Sequence, residues 1–183
     1  MPSSQDQRIR VLQVAGGKGM RRGGIETWLM RVLRAIDRER FQMDFLVPTD
    51  QPAPYDEEIR ALGGRVIAGV SHRSPLRYQR TLRQVMREMG PYRVVHSHVA
   101  HVSGLVLRAA RAEGVPVRIA HSHNDRRGAY TERGILKGAY FAHTRGLILR
   151  HATAGLACSG AAAEWLFGPR WRSDSRWRVL PYG

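Results

Sequence analysis

Cysteine is almost missing from this 183-residue chain: Cys158 is the only one, which excludes an internal disulfide framework and fits a reducing compartment. Lysine is nearly as scarce. Of the 30 basic residues only Lys18 and Lys137 are Lys, and the rest are Arg. Acidic residues number 15, which leaves a formal net charge of +15. No long apolar run is present. The least polar stretch, Ala152 to Ala163, falls far short of the ~20 residues that a membrane-spanning helix needs. The opening MPSSQDQRIRV lacks the apolar segment of a secretory signal. Disorder is excluded by a composition of 43% hydrophobic and 25% charged residues. Together these absences predict one soluble, cytoplasmic domain spanning residues 1–183.

The Arg excess points to an anionic partner, because guanidinium binds phosphate with a planar fork of donors that Lys lacks. Membrane lipid, a phosphorylated substrate and nucleic acid all satisfy that charge, and charge alone does not choose among them. Apolar, β-branched runs predict strands at Ile9–Ala15, Phe41–Val47, Arg65–Val70, Val94–His98, Val117–His123, Ala154–Ser159 and Trp177–Pro181. Helical patterns fill the intervals. Ile25, Trp28, Leu29, Val32, Leu33 and Ile36 recur on one face of a helix, and a second helix begins at Asp56 and stops at Gly63-Gly64. The alternation predicts an α/β fold: a Rossmann-like, doubly wound, mostly parallel sheet with helices on both faces. In such a sheet a ligand lies beyond the carboxyl ends of the strands.

Three segments fall at that edge. The first, AGGKGMRRGGIETW, carries Gly16, Gly17, Gly19, Gly23 and Gly24 between a strand and a helix, with Lys18, Arg21 and Arg22 beside them. Glycines admit close backbone approach, and a helix start offers free N–H groups to an anion, so this loop is a phosphate-binding candidate. Its spacing fits neither a dinucleotide fingerprint nor a nucleoside-triphosphate loop. The second and third segments are VVHSHVAH and RIAHSHND. Alternation puts His96 and His98 on one face of their strand and His121 and His123 on one face of theirs, so four imidazoles can meet if the strands are neighbours. Three uses stay open for them: a metal site, packed and hydrogen-bonded strand ends, or polar contact and acid–base work in a cleft. His123, last on its strand and followed by Asn124 and Asp125, best suits the cleft role.

Two further features have ordinary explanations beside functional ones. Around Leu76–Met89 the apolar residues Tyr78, Leu82, Val85, Met86 and Met89 fill one helix face, while Arg73, Arg77, Arg80, Arg83 and Arg87 fill about 120° opposite with no acid before Glu88. That is either a solvated face or a surface for anionic lipid or an anionic acceptor. In AGLACSGAAAEWLFG, Ser159 stands where a helix N-cap belongs, and no nucleophile-elbow pattern surrounds it. Cys158 lies on the preceding strand among small residues.

Read in order, AGGKGMRRGGIETWLMRVLRAID, FQMDFLV, YDEEIRALGGRVI, YRVVHSHVAHVSG, GVPVRIAHSHND, GLACSGAAAEWLFG and RVLPYG resemble the amino-terminal half of a family 4 glycosyltransferase with the GT-B fold. The chain is similar to bacterial members that build cell-surface polysaccharide. The resemblance implies retaining transfer of a sugar from a nucleotide-diphosphate sugar to a glycan or lipid-linked acceptor, with no essential metal, no cofactor and no nucleic-acid partner. It implies donor-phosphate contact at Gly16, Gly17, Gly23 and Gly24, and donor-sugar contact at His123, or at His121 if the register slips by two. Arg21, Arg22, His98, Asn124 and Ser159 are its acceptor or cleft candidates, and Arg73, Arg77, Arg80, Arg83 and Arg87 its face toward an anionic membrane at the cytoplasmic side. The family carries a second, nucleotide-gripping domain with a Glu-x7-Glu motif that this sequence lacks. The isolated chain is therefore expected to be inactive. The rival readings are a non-catalytic lipid- or polyanion-binding module and a metal-dependent hydrolase built on the His cluster.

Overall fold

The computed structural model describes residues 8–68, 74–124 and 134–182. In chain order its elements are β1 (Ile9–Val14), α1 (Gly24–Ala35), β2 (Phe41–Leu46), α2 (Asp56–Ala61), β3 (Val66–Ile67), α3 (Pro75–Met89) and β4 (Val94–Ser97). There follow α4 (Ser103–Ala112), β5 (Val117–Ser122), α5 (Ile135–His151), β6 (Ala154–Ala157), α6 (Gly160–Phe167) and β7 (Trp177–Val179). Seven strands form one sheet in the order β3-β2-β1-β4-β5-β6-β7, with every pairing parallel. The order reverses direction between β1 and β4, which is the switch point where such sheets open a crevice. The α/β, Rossmann-like expectation holds.

Strand residues send successive side chains to opposite faces, and β1 shows it directly. Val11 packs with Leu29, Met30 and Leu33 of α1, whereas Leu12 and Val14 pack with Leu82 and Met86 of α3 and Val106 of α4. A third core, around Ile148, Ala162, Leu166 and Trp177, closes the β6–β7 end. Six of the predicted strands run one or two residues past their paired portion, because the chain leaves the ladder there to form the crevice loops. The predicted Arg65–Val70 strand pairs only over Val66–Ile67, and its last two residues lie outside the described residues.

Part of the Arg excess is consumed in holding the fold. Asp44 on β2 is fully buried and is bound by Arg10 at 2.8 Å, Arg65 at 3.1 Å and the Tyr92 hydroxyl at 2.8 Å. Burial pushes its carboxyl pKa up, and the Tyr92 and Arg10 contacts pull against that rise. Arg83 and Arg87 of α3 both bind Glu113, the C-cap of α4. The Arg face of α3 is thus partly neutralised by an acid from another helix, which helical periodicity within α3 alone cannot reveal. Arg73 lies outside the described residues.

Close helix packing rests on Gly104, where α4 meets α5. A Cβ placed there would collide with the Thr144 carbonyl oxygen, which is backbone and cannot yield cheaply. Gly104→Ala is expected to lower stability by about 1–3 kcal/mol. Gly146→Ala on α5, where an added Cβ meets nothing within 4 Å, is expected to raise it by about 0.5–1 kcal/mol. Urea denaturation midpoints of the two variants check both signs.

Candidate active site

Register and pleat together assemble the site. Gln13 of β1 lies level with His96 of β4, and His96 lies level with Ile119 of β5. Residues two apart share a face, so Gln13, His96, His98, His121 and His123 all project on the α1 side of the sheet. Trp28 of α1 covers them. Its ring stands 6.3, 6.2, 5.1 and 6.2 Å from the His96, His98, His121 and His123 rings respectively. The periodicity that marks Trp28 as part of an apolar face is correct, but what it faces is imidazole.

The side chains are linked end to end. His96 Nε2 is 3.1 Å from His121 Nδ1, and His121 Nε2 is 2.9 Å from the Tyr182 hydroxyl. That hydroxyl also contacts His123 Nδ1. His123 Nε2 is 2.7 Å from His98 Nδ1, and His98 Nε2 is 2.8 Å from Gln13 Oε1. His96, His98 and His121 are buried, and His123 is half-buried. Burial holds all four in the neutral form. The pKa of His96 is lowered to about 3 and that of His123 to about 4, while those of His98 and His121 also fall well below the ordinary value. For His96, His98 and His121, charge on a neighbouring ring adds to the penalty. One nitrogen each from His96, His98 and His121 lie within 4.8 Å of one another, close enough to share an ion. Against that use, each of these rings already spends a nitrogen on another ring, and no carboxylate among the described residues bonds to any of them.

Beside the cluster lies a cleft of about 510 Å³, bordered by Gly16, Gly17, Glu26, His98, His101, His121, His123 and Asn124 among others. The sequence-predicted residues divide around it. Gly16, Gly17, His98, His121, His123 and Asn124 line it. Gly23 is the N-cap of α1 and Gly24 its first residue, so their amides belong to the helix start next to the cleft. Arg21 and Arg22 are exposed and outside its lining, and the Arg21 guanidinium is turned back onto the Lys18 carbonyl at 3.0 Å. Ser159 is also outside the lining: its hydroxyl accepts from the Ala162 N–H at 3.1 Å and caps α6. Asp125 lies outside the described residues.

Sequence reasoning did not single out Gln13, Tyr182, His101 or Tyr140. Gln13 carried a signal: it is a polar residue inside an otherwise apolar strand, where burial costs free energy unless it is hydrogen-bonded. Gly17 takes a positive φ of 71°, which glycine alone adopts freely. At Ala100, which borders the cleft just after β4, the backbone enters the same left-handed region with φ 53°, an uncommon conformation for a residue with a Cβ.

The model of the glycosyl transferase 4-like domain matches residues 23–183. The chain belongs to that family. It is 39% identical over 186 residues to a protein of Bacillus subtilis (strain 168) named glycosyltransferase EpsF, and spans 46% of that relative's length. It therefore represents about half of the curated protein it matches. Among solved structures it is similar to Anabaena HepE in complex with UDP-glucose, with a TM-score of 0.65 at 14% identity over 96% of this chain and 44% of that one. The complex of HepE with UDP and glucose gives the same TM-score at 15% identity, again over 96% of this chain and 45% of that one. A short chain dehydrogenase from Mycobacterium smegmatis reaches 0.52 at 15% identity over 88% of this chain and 80% of that one, which reflects the shared Rossmann-like architecture.

In this glycosyltransferase domain the neutral cluster makes stability depend on pH. Unfolded imidazoles take up a proton near pH 6.5, whereas the folded rings stay neutral until well below it. The unfolded state then binds more protons, so stability is full above about pH 6.5 and falls as pH drops toward 4. Each ring contributes a slope of about 1.4 kcal/mol per pH unit in that window. His123→Gln is expected to flatten the decline between pH 6 and 4.5 by one such increment. Glu58 and Glu113, held low by Arg34 and Arg87, act at still lower pH. Denaturant titrations at several pH values measure the slope.

Proposed function

We propose that this domain is the amino-terminal, acceptor-side half of a retaining glycosyltransferase that acts in cell-surface polysaccharide assembly. The observation that carries the reading is the cleft at the β1/β4 switch point, where the glycine loop, the start of α1 and the imidazole cluster converge in a member of the glycosyl transferase 4-like family. HepE, whose fold this chain shares, is complexed with UDP-glucose, and we carry a nucleotide-diphosphate sugar over as the donor class. In the reaction the bond between the anomeric carbon and the distal phosphate oxygen breaks. A bond to the acceptor hydroxyl oxygen forms on the same face, and the hydroxyl proton leaves with the nucleoside diphosphate.

The amides at Gly16, Gly17 and Gly24 suit the donor phosphates, since unpaired N–H groups at a helix start favour negative charge as it builds on the leaving group, whereas the Gly23 N–H is already donated to the Arg21 carbonyl at 2.8 Å. His123, with His121 behind it, faces the sugar. Neutral imidazole suits this task because it offers one donor and one acceptor to hydroxyl groups. His98 and Asn124 complete the polar wall. We assign no metal or cofactor to this half. The nucleotide-binding wall belongs to a carboxy-terminal domain, and one half alone lacks the positioning that supplies much of the rate.

With His123→Ala in a protein that joins this domain to such a second half, turnover of nucleotide-sugar donor is expected to fall by about 10²-fold or more. Steady-state rates with the donor check this, and unchanged turnover would remove His123 from the reacting centre.

The same reading puts the domain at the cytoplasmic face of an anionic membrane, as a peripheral protein. No helix among the described residues is long and apolar enough to cross a bilayer. Leu76 at the start of α3 and Ile135 and Leu136 at the start of α5 are 71%, 93% and 87% exposed, with Arg77, Arg80 and Lys137 nearby in sequence. Exposed apolar side chains among cations suit an anionic lipid interface. Reversing Arg77 and Arg80 to Glu is expected to abolish salt-sensitive binding to phosphatidylserine vesicles, at about 1 kcal/mol per charge removed. Arg87, already tied to Glu113, is expected to matter less. Vesicle sedimentation at two ionic strengths measures both.

A further inference from the structure

We infer that Gln13 sets the proton polarity of the whole imidazole chain and thereby creates, between His121 and His123, a subsite that reads a single hydroxyl group. The inference rests on the reading above only in naming a sugar hydroxyl as the group received; the polarity itself follows from the hydrogen-bond connectivity.

A neutral imidazole has one N–H donor and one bare acceptor nitrogen, so fixing one ring of a linked chain fixes the next. The Gln13 side-chain oxygen can only accept. His98 must then carry its proton on Nε2, where it donates to Gln13 Oε1 at 2.8 Å. Its Nδ1 is left as an acceptor, so His123 donates to it from Nε2 at 2.7 Å. His123 Nδ1 is in turn bare and accepts the Tyr182 proton. The Tyr182 oxygen accepts from His121 Nε2–H at 2.9 Å. His121 Nδ1 accepts from His96 Nε2–H at 3.1 Å. All four rings are thereby Nε2–H tautomers, and the direction of every bond traces back to one amide oxygen on β1.

The break in the chain of rings is its useful part. Between His121 Nε2–H and His123 Nδ1 stand one donor and one acceptor, and the group that bridges them must itself donate and accept. A hydroxyl does both; a carboxylate cannot donate, and an ammonium cannot accept. Tyr182, near the end of the described chain, supplies that hydroxyl here. Both His123 nitrogens are engaged while it does so. A sugar hydroxyl arriving from the cleft matches the same pair and takes the place of the phenol. Gln13 is therefore a positioning residue for His121 and His123, acting through His98.

Proton-detected 15N NMR of the 183-residue chain labelled at histidine reports which ring nitrogen carries hydrogen, with the rings assigned by single His→Gln substitutions. The expected spectrum at pH 7.5 shows Nε2–H on His96, His98, His121 and His123. Gln13→Leu is expected to give mixed tautomers at His98 and His123, and Gln13→Glu, which keeps an acceptor, is expected to keep Nε2–H. In Tyr182→Phe, methyl glucoside at millimolar concentration is expected to shift His121 Nε2 and His123 Nδ1 more than in the unaltered chain. Nδ1–H on any of the four rings of the unaltered protein overturns the polarity. An unchanged tautomer pattern in Gln13→Leu overturns the role of Gln13. Equal or absent shifts with methyl glucoside overturn the subsite. A full set of Nε2–H rings beside normal turnover of His123→Ala would instead leave the polarity standing and remove the catalytic reading.

Discussion

The in-register parallel pairing of β1, β4 and β5 is the constraint on which the rest depends. Because Gln13, His96 and Ile119 stand level, the pleat delivers five polar side chains to one face of the sheet at its carboxyl edge. A slip of one residue in any of these strands would send its share of them to the α3–α4 side, among Leu82, Val106 and Ala109. There they would be buried without partners, at a cost per group comparable to a lost hydrogen bond. The cluster therefore reports correct register as well as forming a site.

The chemistry follows from that placement. Packed beneath Trp28, the rings lose enough hydration to resist taking up a charge, and neutral rings join head to tail because each has one proton. Positive charge in the cleft is left to the backbone: the glycine loop and the start of α1 offer N–H groups and Arg21 and Arg22 stay outside the lining, while the Glu26 carboxylate borders the cleft beside them. On the proposed function the site separates its duties, with amide dipoles for an anion and imidazoles for hydroxyls, in keeping with a substrate that carries both.

Most of the architecture is legible in the sequence because β-branched runs and a 3.6-residue period are local signals, and the strand–helix alternation leaves few topologies. Legibility stops where partners are distant in the chain. His96 and His98 with His121 and His123 announce themselves as repeated His-Ser-His steps, but nothing local ties Gln13 to His98, 85 residues away, or Tyr182 to His121, 61 residues away. The Arg face of α3 reads as a free cationic stripe until Glu113 arrives from α4. Arg21 and Arg22 sit in a phosphate-binding pattern yet lie outside the cleft lining, because the glycines fix where the backbone goes and leave long side chains to solvent. Ser159 is legible as a cap from its place before an Ala-rich helix, and the cap is what the structure shows.

The central claim is that the switch-point cleft is where a nucleotide-diphosphate sugar meets this domain. Hydrogen–deuterium exchange on the domain joined to a nucleotide-binding half, with and without a nucleotide-diphosphate sugar, tests it directly. The account predicts added protection in the loop from Gly16 to Gly24 and at the ends of β4 and β5, around His98 and His123. Protection confined to the outer helices, with that loop and those strand ends unchanged under saturating donor, would contradict it.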